Sequence, residues 1–132
     1  MNVKRINNAI DCMKKNHITQ MIISESIAIF YLTGVRVFSG ERLMVLYLNV
    51  NGEIKFLLNE LIPIKENIGF PIVQYNDNQD AIEILNEFIE QGKNIGIDKS
   101  WPSRFLLKLQ KLNPNSEYIN GSPIIDTLRT IK

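Results

Sequence analysis

The residue types that ordinarily carry catalysis are sparse in this sequence and poorly grouped. One histidine, His17, and one cysteine, Cys12, stand five positions apart. A nucleophilic thiol needs an imidazole base within hydrogen-bond reach, yet both residues fall on or just past a single helix. There Cys12 reads as a packing or surface residue, and His17 as a cation well placed at a helix C-terminus rather than as a base. Two such side chains also fall short of a closed transition-metal site. Carboxylates alone could hold magnesium, but Glu83, Glu87 and Glu90 recur at three- and four-residue intervals and read as a solvated stripe. Asp98 follows the apolar stretch Ile95-Gly96-Ile97, at the kind of strand end where ligands meet an α/β sheet. With no second acid close in sequence, a turn or helix-cap role weighs against a catalytic one. There is no Gly-x-Ser-x-Gly elbow. Gly92-Lys-Asn-Ile-Gly96 lacks the third glycine of a phosphate loop and enters a strand instead of leaving one. The residues therefore nominate no catalytic group and no metal ligand.

The segment Val35-Arg-Val-Phe-Ser-Gly-Glu-Arg42 is of a different kind, with two arginines and an aromatic in a glycine-flanked loop. Arg36 could grip a carboxylate bidentately, with Phe38 as an apolar wall. The competing reading is an ordinary exposed loop whose Phe38 packs on its own core.

The elements that must position these residues follow from periodicity. Val3, Ile6, Ile10 and Met13 form one apolar helical stripe ending near Asn16-His17. Gln20 to Ser24 reads as a buried strand, and Ser24-Glu25-Ser26 as a cap for a short helical turn from Ile27 to Leu32, closed by Thr33-Gly34. Leu43–Leu48 and Glu53–Leu58 read as an antiparallel pair joined through Asn51-Gly52. A short helix is expected in the segment Glu60 to Asn67, starting near Leu61 or Ile62 with Pro63 in its first turn, and a strand over Pro71–Tyr75. Ala81, Ile82, Leu85, Phe88 and Ile89 predict an amphipathic helix stopped by Gly92, followed by a strand over Lys93–Ile97. Pro102 opens another helix, with Phe105, Leu106, Leu109 and Leu112 inward and Arg104, Lys108 and Lys111 outward. A strand near Tyr118-Ile119 and a helix from Pro123 towards Ile131 complete the run. Strands and helices alternate without repeats or linkers, which argues one α/β domain with a mixed sheet flanked by helices.

Fifteen basic against fourteen acidic residues leave a net charge of +1, so no global field favours nucleic acid or an anionic membrane as a partner. No stretch approaches the ~18 consecutive apolar residues of a membrane span. A lone cysteine excludes an internal disulfide and argues for a cytoplasmic address.

At Ile29-Phe-Tyr-Leu-Thr-Gly34 the sequence resembles the N-terminal domain of the creatinase, prolidase and Xaa-Pro aminopeptidase family, whose motif is matched by Tyr31, Leu32, Thr33 and Gly34. Arg5 and Ile10 to Met13 are similar to that family's opening helix, and Gln20 to Ser24 to its first strand. Glu41-Arg42 before an apolar strand and Ile95-Gly-Ile-Asp98 fall in the same order. Ser122 to Lys132 is similar to the segment leading into the family's Leu-Arg-x-Ile-Lys junction. Val35 stands where the family commonly has Phe, and Ala28 where Asn often precedes the motif.

The resemblance covers residues 1–132 and implies a creatinase-type N-terminal domain with a ribonuclease-H-like layout. It implies that the catalytic "pita-bread" domain lies beyond this chain, together with the two Asp, one His and two Glu that bind a dinuclear metal centre. The intact protein would then be a metal-dependent Xaa-Pro peptidase, using Mn²⁺, Co²⁺ or Zn²⁺ to activate water. Its partners would be its own C-terminal domain, a second copy in a homodimer and proline-containing peptides, with Arg36 and Phe38 as substrate-shaping residues. Two other readings stay open. One is a stand-alone binding or scaffolding domain; the other is a carboxylate-metal nuclease, for which only Asp98 sits at a strand end.

Overall fold

A computed structural model describes residues 1–64 and 68–130. The chain runs α1 (Val3–Lys15), β1 (Gln20–Ile23), α2 (Ser26–Thr33), β2 (Val45–Asn49), β3 (Ile54–Asn59), β4 (Ile72–Tyr75), α3 (Ala81–Phe88), β5 (Ile95–Ile97), α4 (Ser103–Leu112), β6 (Tyr118–Asn120) and α5 (Ser122–Arg129). The strands form one sheet in the order β4-β3-β2-β1-β5-β6. β2 is antiparallel to both β1 and β3, while β1–β5, β5–β6 and β3–β4 are parallel. The sheet is thus mixed, as its residues predicted.

Both faces of the sheet are covered, so its central strands are apolar on both sides rather than alternating with polar residues. Met21, Ile23, Leu46, Leu48, Phe56 and Leu58 pack with Ile6, Ala9, Ile10 and Met13 of α1, Ile29 and Leu32 of α2, and Ile124 and Ile125 of α5. The intervening Ile22, Val45, Tyr47 and Leu57 face the opposite layer, Ile82 and Leu85 of α3 and Leu109 of α4. This division by sequence parity is what a pleated strand imposes.

The β2–β3 hairpin turns on asparagine. Asn49 Oδ1 accepts from the Asn51 amide, Asn51 Oδ1 accepts from the Glu53 amide, and Gly52 takes φ +94°. Below it lies a buried polar network absent from any sequence pattern. Gln20 Oε1 accepts from the Tyr47 hydroxyl and the Glu90 amide, while Asn49 Nδ2 donates to Tyr47 Oη and Glu90 Oε1. Burial pushes the Tyr47 phenol up to about 12, so it remains a donor. Glu90 therefore lies beyond α3 and clamps its exit, whereas Glu83 and Glu87 are exposed on the helix.

Three local expectations need correction. Residues 60–64 contain an Asx turn, in which Asn59 Oδ1 accepts from the Leu61 amide, instead of a helix, and Leu61 is exposed. Asn59 competes for those amides, and the rest of that expected helix, over 65–67, lies outside the described residues. Pro102 sits one position before α4, as its cap, and Leu112 is exposed because the helix ends there while Leu109 is buried. Ser24 and Ser26 do not cap α2; their hydroxyls donate to the Met44 and Val37 carbonyls. The end expected at Ile131 also falls outside the described residues.

The exit of α1 gives His17 a backbone role. The His17 amide donates to Lys14 O and the Ile18 amide to Met13 O, a Schellman pair, with His17 at φ +58° and Ile18 buried beyond it. A left-handed conformation costs an L-residue ~1–2 kcal/mol, and glycine's extra chain entropy returns part of that. His17→Gly is therefore expected to stabilise the chain by about 0.5–1 kcal/mol. An unchanged or lowered melting temperature would contradict this account of the turn.

Candidate functional site

The Tyr31-Leu32-Thr33-Gly34 motif works as a helix stop with a fixed exit direction. Leu32 is fully buried against the sheet. Thr33 Oγ1 donates to Ile29 O and accepts from the Val35 amide, bridging the last turn to the following segment. Gly34 takes φ +77° and donates its amide to Phe30 O, closing the helix in the left-handed conformation that glycine adopts without strain. Tyr31 ties the helix to its neighbours: its hydroxyl donates to Leu128 O of α5, and the Arg5 guanidinium of α1 lies 4.3 Å over its ring while donating to Tyr31 O.

Beyond Gly34 the side chains alternate between buried and exposed. Val35 and Val37 are buried, with Val37 O held by the Ser26 hydroxyl, so Arg36 and Phe38 are turned outwards. Phe38 is 80% exposed, which overturns the reading in which it packs on its own core. The two valines already fill the inward positions, leaving no core place for an aromatic. Arg36 stacks its guanidinium 4.3 Å over the Phe30 ring and has no ion pair among the described residues. Arg42, at the loop's far end, is held bidentately by Asp77, whose carboxyl the guanidinium keeps below its usual range.

Sequence reasoning missed the partner of this loop, the outer face of α2. Its sequence Ser-Ile-Ala-Ile-Phe-Tyr-Leu-Thr is apolar on almost every side, and such a helix wants cover all round. Here only one side is covered. Ile27 and Phe30 are exposed, and with Val37, Phe38 and Arg36 they border a hollow of about 250 Å³. The signal was legible as a run of six apolar residues from Ile27 to Leu32 with no polar face.

Asp98 is buried where β5 ends, and its role is structural. Its Oδ2 accepts from the backbone amides of Ser24 and Glu25, tying the end of β5 to the segment that leads from the neighbouring β1 into α2. Burial raises its pKa to about 6, against the lowering effect of those two amides, with Glu25 and Asp126 adding smaller upward contributions. The donor set does not suit a divalent metal. Asp98 is spent on amides, Asp126 on Lys99, and Glu25 faces Arg129. Among the described residues no three His, Cys, Asp or Glu gather closely enough to hold an ion. Nor is any described helix long and apolar enough to cross a membrane.

This architecture is shared with known proteins. The chain matches a proline dipeptidase structure from Streptococcus pneumoniae with a TM-score of 0.86 at 20% identity, covering 100% of both chains. The Creatinase/Prolidase N-terminal domain of an X-Pro dipeptidase from Streptococcus pyogenes matches at 0.82 and 18% identity, covering 96% of this chain and 99% of that one. A dipeptidase from Pyrococcus horikoshii matches at 0.83 and 28% identity over 97% of this chain but 37% of its own, so this chain spans little more than a third of that protein. No curated protein matches the sequence. The family model of the Creatinase/Prolidase N-terminal domain matches residues 5–131, nearly the whole sequence. With its helix-stop motif, its displayed loop and its mixed sheet, the chain belongs to the creatinase/prolidase N-terminal domain family.

Proposed function

We propose that this domain is the non-catalytic, substrate-access part of a Xaa-Pro dipeptidase or aminopeptidase that acts in the cytoplasm as a homodimer. In this reading a C-terminal domain holds the dinuclear Mn²⁺, Co²⁺ or Zn²⁺ centre and cuts the Xaa-Pro bond. The present chain contributes to dimerisation and presents Arg36 and Phe38 at the mouth of an active site. The observation that carries the reading is the rim of Ile27, Phe30 and Phe38, apolar side chains left exposed beside Arg36, a cation with no ion pair among the described residues. Water-exposed aromatics grouped in this way mark a surface that meets something else. The dipeptidases and prolidase domains of the same fold support the choice of substrate class.

The test uses both the chain and its parent. The 132-residue chain with Mn²⁺ is expected to release no proline from an Xaa-Pro dipeptide above blank; turnover would refute the non-catalytic role. In the intact protein, Phe38→Ala and Arg36→Ala are expected to raise KM about tenfold with kcat little changed, the pattern of lost substrate binding without lost chemistry. Unaltered kinetics in both variants would remove these residues from substrate access. A reading frame that stops at Lys132 would favour a stand-alone binding domain instead.

A further inference from the structure

The sequence holds two Asn-Gly pairs, Asn51-Gly52 and Asn120-Gly121. Such a pair can react with itself. The deprotonated backbone nitrogen of the glycine attacks the asparagine Cγ, ammonia leaves with Nδ2, and a five-membered succinimide remains. Water then opens the ring at either carbonyl, to aspartate or to isoaspartate, in which the main chain runs through the side-chain carbon. The step consumes one water and needs no oxidant or cofactor. Glycine favours it because no Cβ crowds the closing ring. The fold decides which pair can react.

Asn120 and Gly121 are held at the end of the sheet. The Gly121 amide, the nitrogen that would attack, donates to Ile97 O at 2.9 Å and extends the β5–β6 pairing. Gly121 is buried, and a Cβ built on it would stand 3.0 Å from the Gly96 backbone. Ring closure there must strand the Ile97 carbonyl and part β5 from the start of α5.

Asn51 and Gly52 meet neither obstacle. Both are exposed at the tip of the β2–β3 hairpin, and nothing lies within 4 Å of where a Gly52 Cβ would stand. The Gly52 amide donates to Asn49 O within the turn, where water can take its place. The Glu53 amide donates to Asn51 Oδ1 at 2.8 Å, against 3.2 Å for the Ser122 amide on Asn120 Oδ1. That donor draws charge from Cγ and meets the oxygen on which negative charge grows during attack, as an oxyanion hole does.

We propose that Asn51 is a site of spontaneous deamidation in the folded chain, whereas the sheet protects Asn120. The product places a carboxylate two residues from Glu53. Its isoaspartate form also adds a carbon to a turn whose register the Asn49 and Asn51 side chains fix. Asn49 Nδ2 holds Tyr47 and Glu90 as well, so the modified turn is bonded to the buried network.

Chains of this fold and length have been solved alone, so the 132-residue chain is a practicable sample. It is aged for several weeks at neutral pH and physiological temperature, folded and in concentrated urea, then digested with trypsin beside an unaged sample. Cleavage after Arg42, Lys55, Lys111 and Arg129 puts the two pairs on separate peptides, 43–55 and 112–129, in which tandem mass spectrometry reads conversion at each asparagine. In the folded chain Asn51 is expected to convert at least about tenfold faster than Asn120, the ratio set by stranding one buried carbonyl. In urea the two pairs should convert at similar rates. Equal rates in the folded chain, faster conversion of Asn120, a ratio that persists in urea, or an Asn51 that converts in urea alone would each overturn the proposal.

Discussion

Gly121→Ala is expected to destabilise the chain by about 1–3 kcal/mol, the usual cost of forcing an extra carbon into a filled core. A methyl on Gly121 would stand 3.0 Å from both Cα and the carbonyl carbon of Gly96 in β5, and 3.2 Å from Met21 Cε. The first two are backbone atoms of a strand hydrogen-bonded on both edges, so they have no free rotamer with which to retreat. Torsion is not the difficulty: Gly121 takes φ −91° and ψ −12°, which alanine adopts readily. The cost is steric, and it falls where the chain passes from β6 into α5 with the Gly121 amide donating to Ile97 O. Gly96→Ala meets the same contact from the other side, at 2.9 Å from Met21 Cγ and 3.2 Å from Gly121 Cα. Because either methyl alone must prise the two segments apart, the double variant should lose less than the sum of the single ones. Urea denaturation of the four proteins measures both quantities. A Gly121→Ala protein as stable as the parent would mean that β5 and the start of α5 are not in close contact.

The glycine pair also illustrates what the sequence could show. The strand around Gly96 was legible from Ile95 and Ile97, and the last helix from Pro123 and its apolar spacing, because both signals are local. That the two glycines face each other is a fact about parallel strands separated by a helix, and no spacing encodes it. Asp98 divides in the same way. Its position after a strand argued for a turn or a cap, but its Oδ2 accepts instead from the Ser24 and Glu25 amides, seventy-odd residues earlier and just ahead of the helix that begins at Ser26. Ser24 and Ser26 drew the capping assignment because serine hydroxyls usually serve the nearest amides; a bonding path to the Met44 and Val37 carbonyls appears only once β2 and the loop before it are in place. Arg36 and Phe38 were recognisable as a displayed pair. The Ile27 and Phe30 face that completes their rim was legible only as a run of six apolar residues from Ile27 to Leu32, and such a run reads equally well as core.

Acidification from pH 7 to pH 4 is expected to stabilise the Asp98 site, opposite to the usual behaviour of a hydrogen-bonded carboxylate. The folded pKa of about 6 lies above the ordinary 3.8, with burial as the main cause and the Ser24 and Glu25 amides only partly offsetting it. Between those two values the folded chain holds a proton that the unfolded chain has released, so stability falls as pH rises through the window and is level above it. At about 1.4 kcal/mol per pH unit, the full difference is roughly 3 kcal/mol. Asp98→Asn keeps a carbonyl oxygen for the amides and removes the charge. It should therefore abolish this dependence and match or exceed the parent's stability at pH 7. Asp98→Ala removes the acceptor as well, stranding the Ser24 and Glu25 amides at a cost of about 1–3 kcal/mol at any pH. Denaturation of the three proteins from pH 4 to 7.5 separates these effects, because other titrating groups contribute equally to parent and variants. If the parent-minus-Asn difference stays flat across that range, Asp98 is ionised in the folded chain throughout, and the two amides outweigh its burial.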